Sequence, residues 1–582
     1  MSDNSQTIAT PQSADLATFT VLVGGEELSA VYQVKNITVE KEVNRIPFAQ
    51  LVFFDGEASQ QDFKLSNEDV LIPGKEIEIK AGYHNDEETI FKGIIIKHSL
   101  KIRENASVLV VECRDKAVKM TVGRKSNYYY ESTDAEIAEE IIGKYNLENE
   151  IESTTYAHPE LVQFNASDWD FVITRAQANG KIATVDDGKI TIAKPDFSQD
   201  EVETVAFGAT LLSFDSEIDA RNQFGTITSY GWNPADQELV ETEASDPGIT
   251  FNGNLDTSSL SEIIGLDNLE LKHGGNNNST LLQGWSDAKA LFQQMAKTRG
   301  TIKFQGIAPV KPGVMLKLEG VGDRFNGKVF ISGIRHQITD GNWTIDAQFG
   351  FNPDWFSETY DINQQPAAGL LPAVNGLQIG VVSQLEEDPN GEERILVKFP
   401  IVNNTAQGIW ARVASLDAGE NRGAFFRPEI GDEVIVGFIN DDPNHAVVLG
   451  MLHSSAKPAP LVASDDNHEK GFFTRSEMKI LFNDEKKSIA IETPAGKKIT
   501  LDEDAGTIVI EDENSNIFTL DSSGVVMETE GDFSIKASGD LNLEGTNVNI
   551  KANAQFKAEG SAGAEVSTSA VAVLKGSLVQ IN

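Results

Sequence analysis

The 582-residue sequence is poorest in sulfur and in positive charge. Its one cysteine, Cys113, excludes an intramolecular disulfide and a cysteine-based zinc site. It lies in the alternating run "SVLVVECRD", which predicts a buried strand thiol and not a nucleophile. Against 89 Asp and Glu stand 48 Lys and Arg, a net charge of -41 that repels phosphate backbones and disfavours nucleic acid as a partner. No stretch reaches about 18 uninterrupted apolar residues, so no membrane-spanning helix is expected. The opening "MSDNSQTIATPQSADLATF" lacks the basic and apolar regions of a signal peptide. Synthesis is therefore expected in the cytoplasm, with any exit made as part of a larger assembly. The eight histidines show neither His-x-x-Glu-His nor Cys/His spacing. "HGGNNNST" at 273–280 lacks the Lys-Ser/Thr of a phosphate-binding loop and reads as a flexible loop. With carboxylates this abundant, chance pairs occur everywhere and no acid/base dyad stands out. No catalytic, cofactor-binding or metal-ligating residue is nominated, and no cofactor is expected.

What is present points to β structure. The length implies roughly three to five domains, and the 48 Gly sit among Asn, Asp and Ser turns. Residues 1–17 read as a flexible arm. From "ATFTVLVGG" to about Gly123, alternating runs such as "FAQLVFF" and "KEIEIKAGY" predict strands. Three helices are expected beyond them. One follows the N-cap Thr133, with Glu136 three residues on. The second runs from Ser167 to a stop at Gly180. The third starts at Ser286 and buries Ala288, Leu291, Phe292 and Met295. Residues 18–357 are thus expected to be α+β, with more than one barrel-like subdomain. A linker by composition covers 358–376. Short strands at 377–385, 393–400, 408–415, 431–439 and 445–452 fit a small closed barrel of OB type over 377–453. A second linker takes up 454–470.

Residues 471–582 hold an internal repeat. Apolar pairs two residues apart recur at Ile480/Phe482, Ile489/Ile491, Ile499/Leu501, Ile508/Ile510, Phe518/Leu520, Val525/Met527, Phe533/Ile535, Leu541/Leu543 and Val548/Ile550. They weaken through Phe556/Ala558, Ala564/Val566 and Ala572/Leu574 to Val579/Ile581. Successive pairs lie 7 to 10 residues apart, mostly 8 from residue 518 onward, with turns such as "TPAGK" and "DSSG" between. Solenoids that fold from one chain generally need repeats of roughly 20–45 residues. One short strand per octad cannot cover its own apolar face, whereas three chains wound together close a core. The expected fold is therefore mainly β with some α: a multi-barrel hub, an OB-fold collar, and a triple-stranded intertwined β-helix needle in a homotrimer. A calcium-binding solenoid would need Gly-Gly-x-Gly-x-Asp repeats, which are missing.

"DPNGEERILVKFP" and "IWARVASLDAGENRGAFFRPEIGDEVIVGFINDDPNHAVVLGML" resemble the OB domain of VgrG-type spike proteins, with Trp410, Arg412, Pro428, Glu429, Gly431, Asp432, Glu433 and Gly450 in the family's order. These spikes belong to contractile injection systems: type VI secretion systems, contractile phage tails and extracellular particles. "SDWDFVITRAQANGKIATVDDGKI" at 167–190 is similar to the family's hub, and the octads to its β-helix. The resemblance implies a homotrimer that caps an inner tube, helps nucleate a baseplate and punctures a target envelope when the sheath contracts. It implies inner tube protein, baseplate proteins, cargo effectors and a PAAR-type tip protein as partners, and assembly into a phage tail-like particle delivered outward. Within it, Leu578, Val579, Gln580, Ile581 and Asn582 are the candidate docking face for the tip protein. The roughly 20-residue link after the collar leaves no room for the lysozyme domain some relatives carry, and no effector follows the repeats, so no enzyme is expected. The competing readings are a spike-borne cell-wall hydrolase and a trimeric adhesin or tail fibre.

Overall fold

Alternation with one buried face sets the first part of the molecule. A computed structural model describes residues 16–104, 106–249, 252–403 and 405–581. They fall into two compact units that divide after Ala373. In the first unit, one thirteen-stranded sheet carries two separate cores. Its main path runs Leu211–Ile218, Thr298–Gln305, Asn342–Phe349, Gly327–Thr339, Val34–Glu42, Phe48–Phe54, Ser107–Arg114, Asp86–Ile102, Glu76–Tyr83, Ala17–Val23. Val39, Leu51, Phe53, Ile79, Phe91, Leu109, Val111 and Cys113 fill one core, and Ile302, Leu316, Ile331, Ile345 and Ala347 the other. The expected separate barrels are thus two lobes of one branched sheet. The cause is the strand Gly327–Thr339, thirteen residues long, which sends Ile331 and Ile334 into one core and Ile338 into the other while pairing with Val34–Glu42. The first strand opens at Ala17, inside the expected arm, and is held by an Ala17 N–H donated to Gly341 O at 2.8 Å. Residues 1–15 of that arm lie outside the described residues.

Trp343 roofs the first core because residue 306 is glycine. A Cβ there would fall 2.1 Å from the Trp343 ring, and the Gly306 N–H donates to Trp343 O at 2.9 Å. The indole N–H in turn donates to Nδ1 of the buried His336 at 3.3 Å.

A third core belongs to the helices α1 (Asp134–Gly143) and α2 (Asp168–Ala178) and the small sheets beside them. The Thr133/Glu136 capping box forms as expected, with Thr133 N–H to Glu136 Oε2 at 2.8 Å. Helix α2 follows the Ser167 cap, and Gly180 takes φ 68° just beyond it. Helix α3 (Thr257–Ile264) is short. Helix α4 (Ser279–Met295) begins seven residues before the expected Ser286. Its cap is Asn278, whose side chain accepts from Leu281 N–H at 2.9 Å, so part of the "HGGNNNST" loop is helix start. Ser286 is fully buried in mid-helix and donates back to Leu282 O at 3.1 Å, a local bond that satisfies its hydroxyl without ending the helix. Helix α5 (Phe356–Thr359) is a single turn.

In the second unit, Gln378–Gln384, Ile395–Lys398, Ile409–Val413, Ala446–Met451 and Glu433–Phe438 close a five-stranded barrel in that order around Val382, Ile395, Val397, Ala411, Val434, Val436 and Val448. Beyond it lie seven short antiparallel strands between Glu469 and Glu528. No strand is found among the described residues from 529 to 581. The single repeat array of the sequence is therefore two things: a sheet folded within one chain, then a stretch with no internal pairing. The dividing line does not follow the spacing. The first hairpins join pairs 9 and 10 residues apart, but the last one joins Phe518/Leu520 to Val525/Met527, only 7 apart, through a two-residue turn, while the pairs 8 apart beyond it form no strand among the described residues. No helix of the described residues is long and apolar enough to cross a membrane.

Candidate functional site

The meander puts both members of every apolar pair of its repeat on one face. Ile480 stands opposite Ile491 and Phe482 opposite Ile489; Ile489 meets Leu501 and Ile491 meets Ile499. The pattern continues through Ile499/Ile510, Leu501/Ile508, Ile508/Leu520, Ile510/Phe518, Phe518/Met527 and Leu520/Val525. The result is an apolar ladder two residues wide, produced by alternation plus turns that preserve register. From Ile480 onward no other described part of the chain covers it. From Ile480 to Ile510 these side chains keep 37–44 % of their surface exposed. Each leaves on the order of 1–2 kcal/mol of burial unrealised. The opposite face carries Leu481, Ala490, Thr500, Val509, Thr519 and Val526 down its middle, and beside them a row of alternating charge crosses four strands. Lys479 pairs with Glu492 at 3.0 Å, Glu492 stands opposite Lys498, and Lys498 pairs with Glu511 at 3.5 Å.

The meander is tied to the barrel. Phe472 of its first strand stacks on Phe426 with ring centroids 5.5 Å apart, and Arg475 meets Glu429 at 2.6 Å. Lys457, in the expected second linker, donates to Asp432 Oδ1 at 2.8 Å and to Gly431 O at 2.7 Å.

From 530 to 581 every described residue is exposed. Phe533, Ile535, Leu541, Leu543, Val548 and Ile550 keep 54–68 % of their surface, so the apolar pairs persist without a partner. The candidate docking residues Leu578, Val579, Gln580 and Ile581 lie in this stretch, exposed and outside any strand; Asn582 lies outside the described residues.

Chemistry-bearing side chains elsewhere are absorbed into structure. Cys113 is buried in a strand, and burial pushes its thiol far above the ordinary range. Two ionic clusters escaped sequence reasoning. At the Asp187-Gly188 hairpin turn, the buried Lys41 pairs with Asp186 and stands 3.4 Å from Asp187. Lys311 reaches Asp186 at 2.6 Å, and Gly188 N–H donates to Asp115 at 2.8 Å. Burial alone would raise the Asp186 carboxyl, but Lys41 and Lys311 outweigh it and hold it below the usual range. Near α1, Arg175 makes a two-pronged contact with Asp134 at 2.7 and 2.9 Å, with Asn179 and His158 alongside. These partners sit up to 146 residues apart, and no local motif marks them. Among the described residues no group of three or more His, Cys, Asp or Glu could hold a metal ion. The apolar ladder of the meander remains as an exposed surface.

The comparisons with known proteins fit such a surface. The family described as "Alg8 N-terminal domain" matches residues 13–340, and that described as "Type VI secretion system/phage-baseplate injector OB domain" matches 378–453. The type VI secretion system spike protein VgrG1b of Pseudomonas aeruginosa is 27 % identical over 181 residues, 28 % of this chain and 24 % of that protein. VgrG3 of Vibrio cholerae is 33 % identical over 105 residues, 16 % of this chain and 10 % of its own. The chain thus spans about a quarter or less of the length of these two relatives. Among solved structures, the 43 kDa tail protein of prophage MuSo2 from Shewanella oneidensis shares 12 % identity over 58 % of this chain and 98 % of its own, with a TM-score of 0.44. An E. coli component of the type VI secretion system shares 13 % over 74 % and 99 %, with a TM-score of 0.37.

Proposed function

The chain belongs to the VgrG-type spike proteins, with the Alg8 N-terminal domain as its larger part, and from that membership we propose that three copies form the central spike and hub of a contractile injection system. In this reading residues 18–357 are the hub, which caps the inner tube and helps nucleate the baseplate. Residues 377–453 are an OB-type collar, a reading supported by the closed strand order first-second-third-fifth-fourth. Residues 471–582 are the needle, the arm being 1–17 and the linkers 358–376 and 454–470. Three copies of the meander stand as three walls around their apolar ladders, and the octads beyond wind together. The assembled particle carries the spike outward, and sheath contraction drives it through the target envelope. Leu578 to Asn582 seat a PAAR-type tip protein, and the chain itself performs no catalysis.

One observation carries the proposal: from Ile480 to Met527 the apolar ladder has no cover among the described residues. A monomer would leave that face in water, and an open sheet would invite uncontrolled edge pairing. Light scattering on the purified chain should return three times 63.3 kDa. A stable monomer sinks the reading; a two-chain mass would mean that the ladders pack face to face in pairs.

A further inference from the structure

The charges beside the octads repeat with a sign. The residue that follows the second apolar position of each pair is Glu528, Lys536, Glu544, Lys551, Glu559, Ser567 and Lys575 in turn. Signs alternate over the first five. These side chains fall on the opposite face from the apolar pair, where neighbouring strands set them side by side roughly 4.8 Å apart. Lys536, Glu544 and Lys551 have no ion-pair partner among the described residues, and Glu559 meets only Lys557, two residues before it. The meander shows what such a column does when strands are adjacent: Lys479, Glu492, Lys498 and Glu511 form one continuous row of opposite charges.

Three arrangements of the octads can be compared. Continuing the antiparallel meander within one chain would set Asp532 against Glu528 and then against Glu544, both repulsive, and Asp540 against Lys536 and then against Lys551, both attractive, so the charges cancel. Setting identical octads of two copies side by side would put Lys536 on Lys536 and Glu544 on Glu544. Parallel strands of two copies offset by one octad bring together Glu528/Lys536, Lys536/Glu544, Glu544/Lys551 and Lys551/Glu559, all of opposite sign. The same offset pairs Lys557 with Glu565. Its one like pair is Asp532/Asp540.

We propose that this alternating column is the register key of the needle: each copy lays its octads beside those of a neighbouring copy offset by one repeat, and Glu528, Lys536, Glu544, Lys551 and Glu559 form interchain ladders that select that offset. The proposal rests on the trimeric needle and adds to it what sets the axial alignment of the copies. Like-sign neighbours disfavour offsets of zero and of two repeats, so the column works by exclusion as much as by attraction.

The test uses the full chain. Lys536→Glu with Lys551→Glu makes the column wholly acidic from 528 to 559. Adding Glu544→Lys and Glu559→Lys restores alternation from 536 onward with every sign reversed. The acidic variant should lose the needle at a temperature several degrees lower in dilute buffer, with faster proteolysis after residue 528. The difference should close in about 1 M salt, where screening reaches only about 3 Å. The reversed variant should recover most of the loss. The melting of the hub, read separately, controls for misfolding. If the acidic variant holds its needle as well as the parent at low salt, or the reversed variant recovers nothing, the register key is wrong while the trimer stands. If the parent chain itself is not trimeric, the underlying reading fails first.

Discussion

At the scale of single residues, the hub is held by polar groups that sequence distance hides. Lys41 has its ammonium buried, and Asp186 is its nearest counter-charge. Asp186→Asn should therefore cost about 1–3 kcal/mol by urea unfolding, less than a fully buried pair because Asp186 is itself partly exposed. Because the Asp186 carboxyl is held below its usual range, its contribution is complete above about pH 4 and is lost as pH falls through the lowered value. His336 titrates in a different window. Burial and the nearby Lys41 lower it from 6.5 to about 3, so the fold favours the neutral ring. Its stabilisation is full above pH 6.5 and drains as pH falls from 6.5 toward 3, with a slope approaching 1.4 kcal/mol per pH unit. His336→Gln should flatten that slope between pH 6.5 and 5, measured as the difference between the two denaturation series. Gly306→Ala should unseat Trp343 and with it the bond to His336, lowering hub stability by about 1–3 kcal/mol.

At the scale of elements, the repeat is where substitution separates assembly from folding. Ile499→Asp and Ile508→Asp each place a carboxylate on the apolar ladder, which in one chain faces water and in three faces a core. Both should abolish the trimer while leaving the hub melting temperature unchanged, as seen by light scattering beside calorimetry. An equal loss of hub stability would remove the ladder from its proposed role. Elements written in local code were legible beforehand. The Thr133/Glu136 box, the Ser167 cap and the five barrel runs all signal within a few residues of where they act. The start of α4 was not, because Ser286 has the chemistry of a cap and only burial shows that it bonds backwards inside a helix. The split of the repeat was half legible. Its spacing changes in the sequence, but identical apolar pairs mark both halves, and only the register separates a hairpin from a strand awaiting company. Ionic contacts such as Lys41 with Asp186 had no sequence signal at all, since pairing across 145 residues depends on the completed sheet.

At the scale of the whole molecule, removing everything after residue 470 should leave hub and collar folded and strip the assembly of its heat-resistant part. In gel filtration that shortened chain should elute well below the parent and bind no tip protein, while the full chain should lose tip binding alone when Leu578 and Ile581 become Asp. Retained tip binding in that double variant would move the docking face elsewhere. The internal sheet that ends at Glu528 also bears on how a cell handles surplus copies. A copy that has met no companion trails residues 529–581 as bare, strand-prone chain, the kind of segment that proteases cut and that aggregates. If the proposed three-copy needle is right, copies without companions expose themselves to clearance through their own tails, and the yield of finished spikes falls off steeply as newly made chains become scarce.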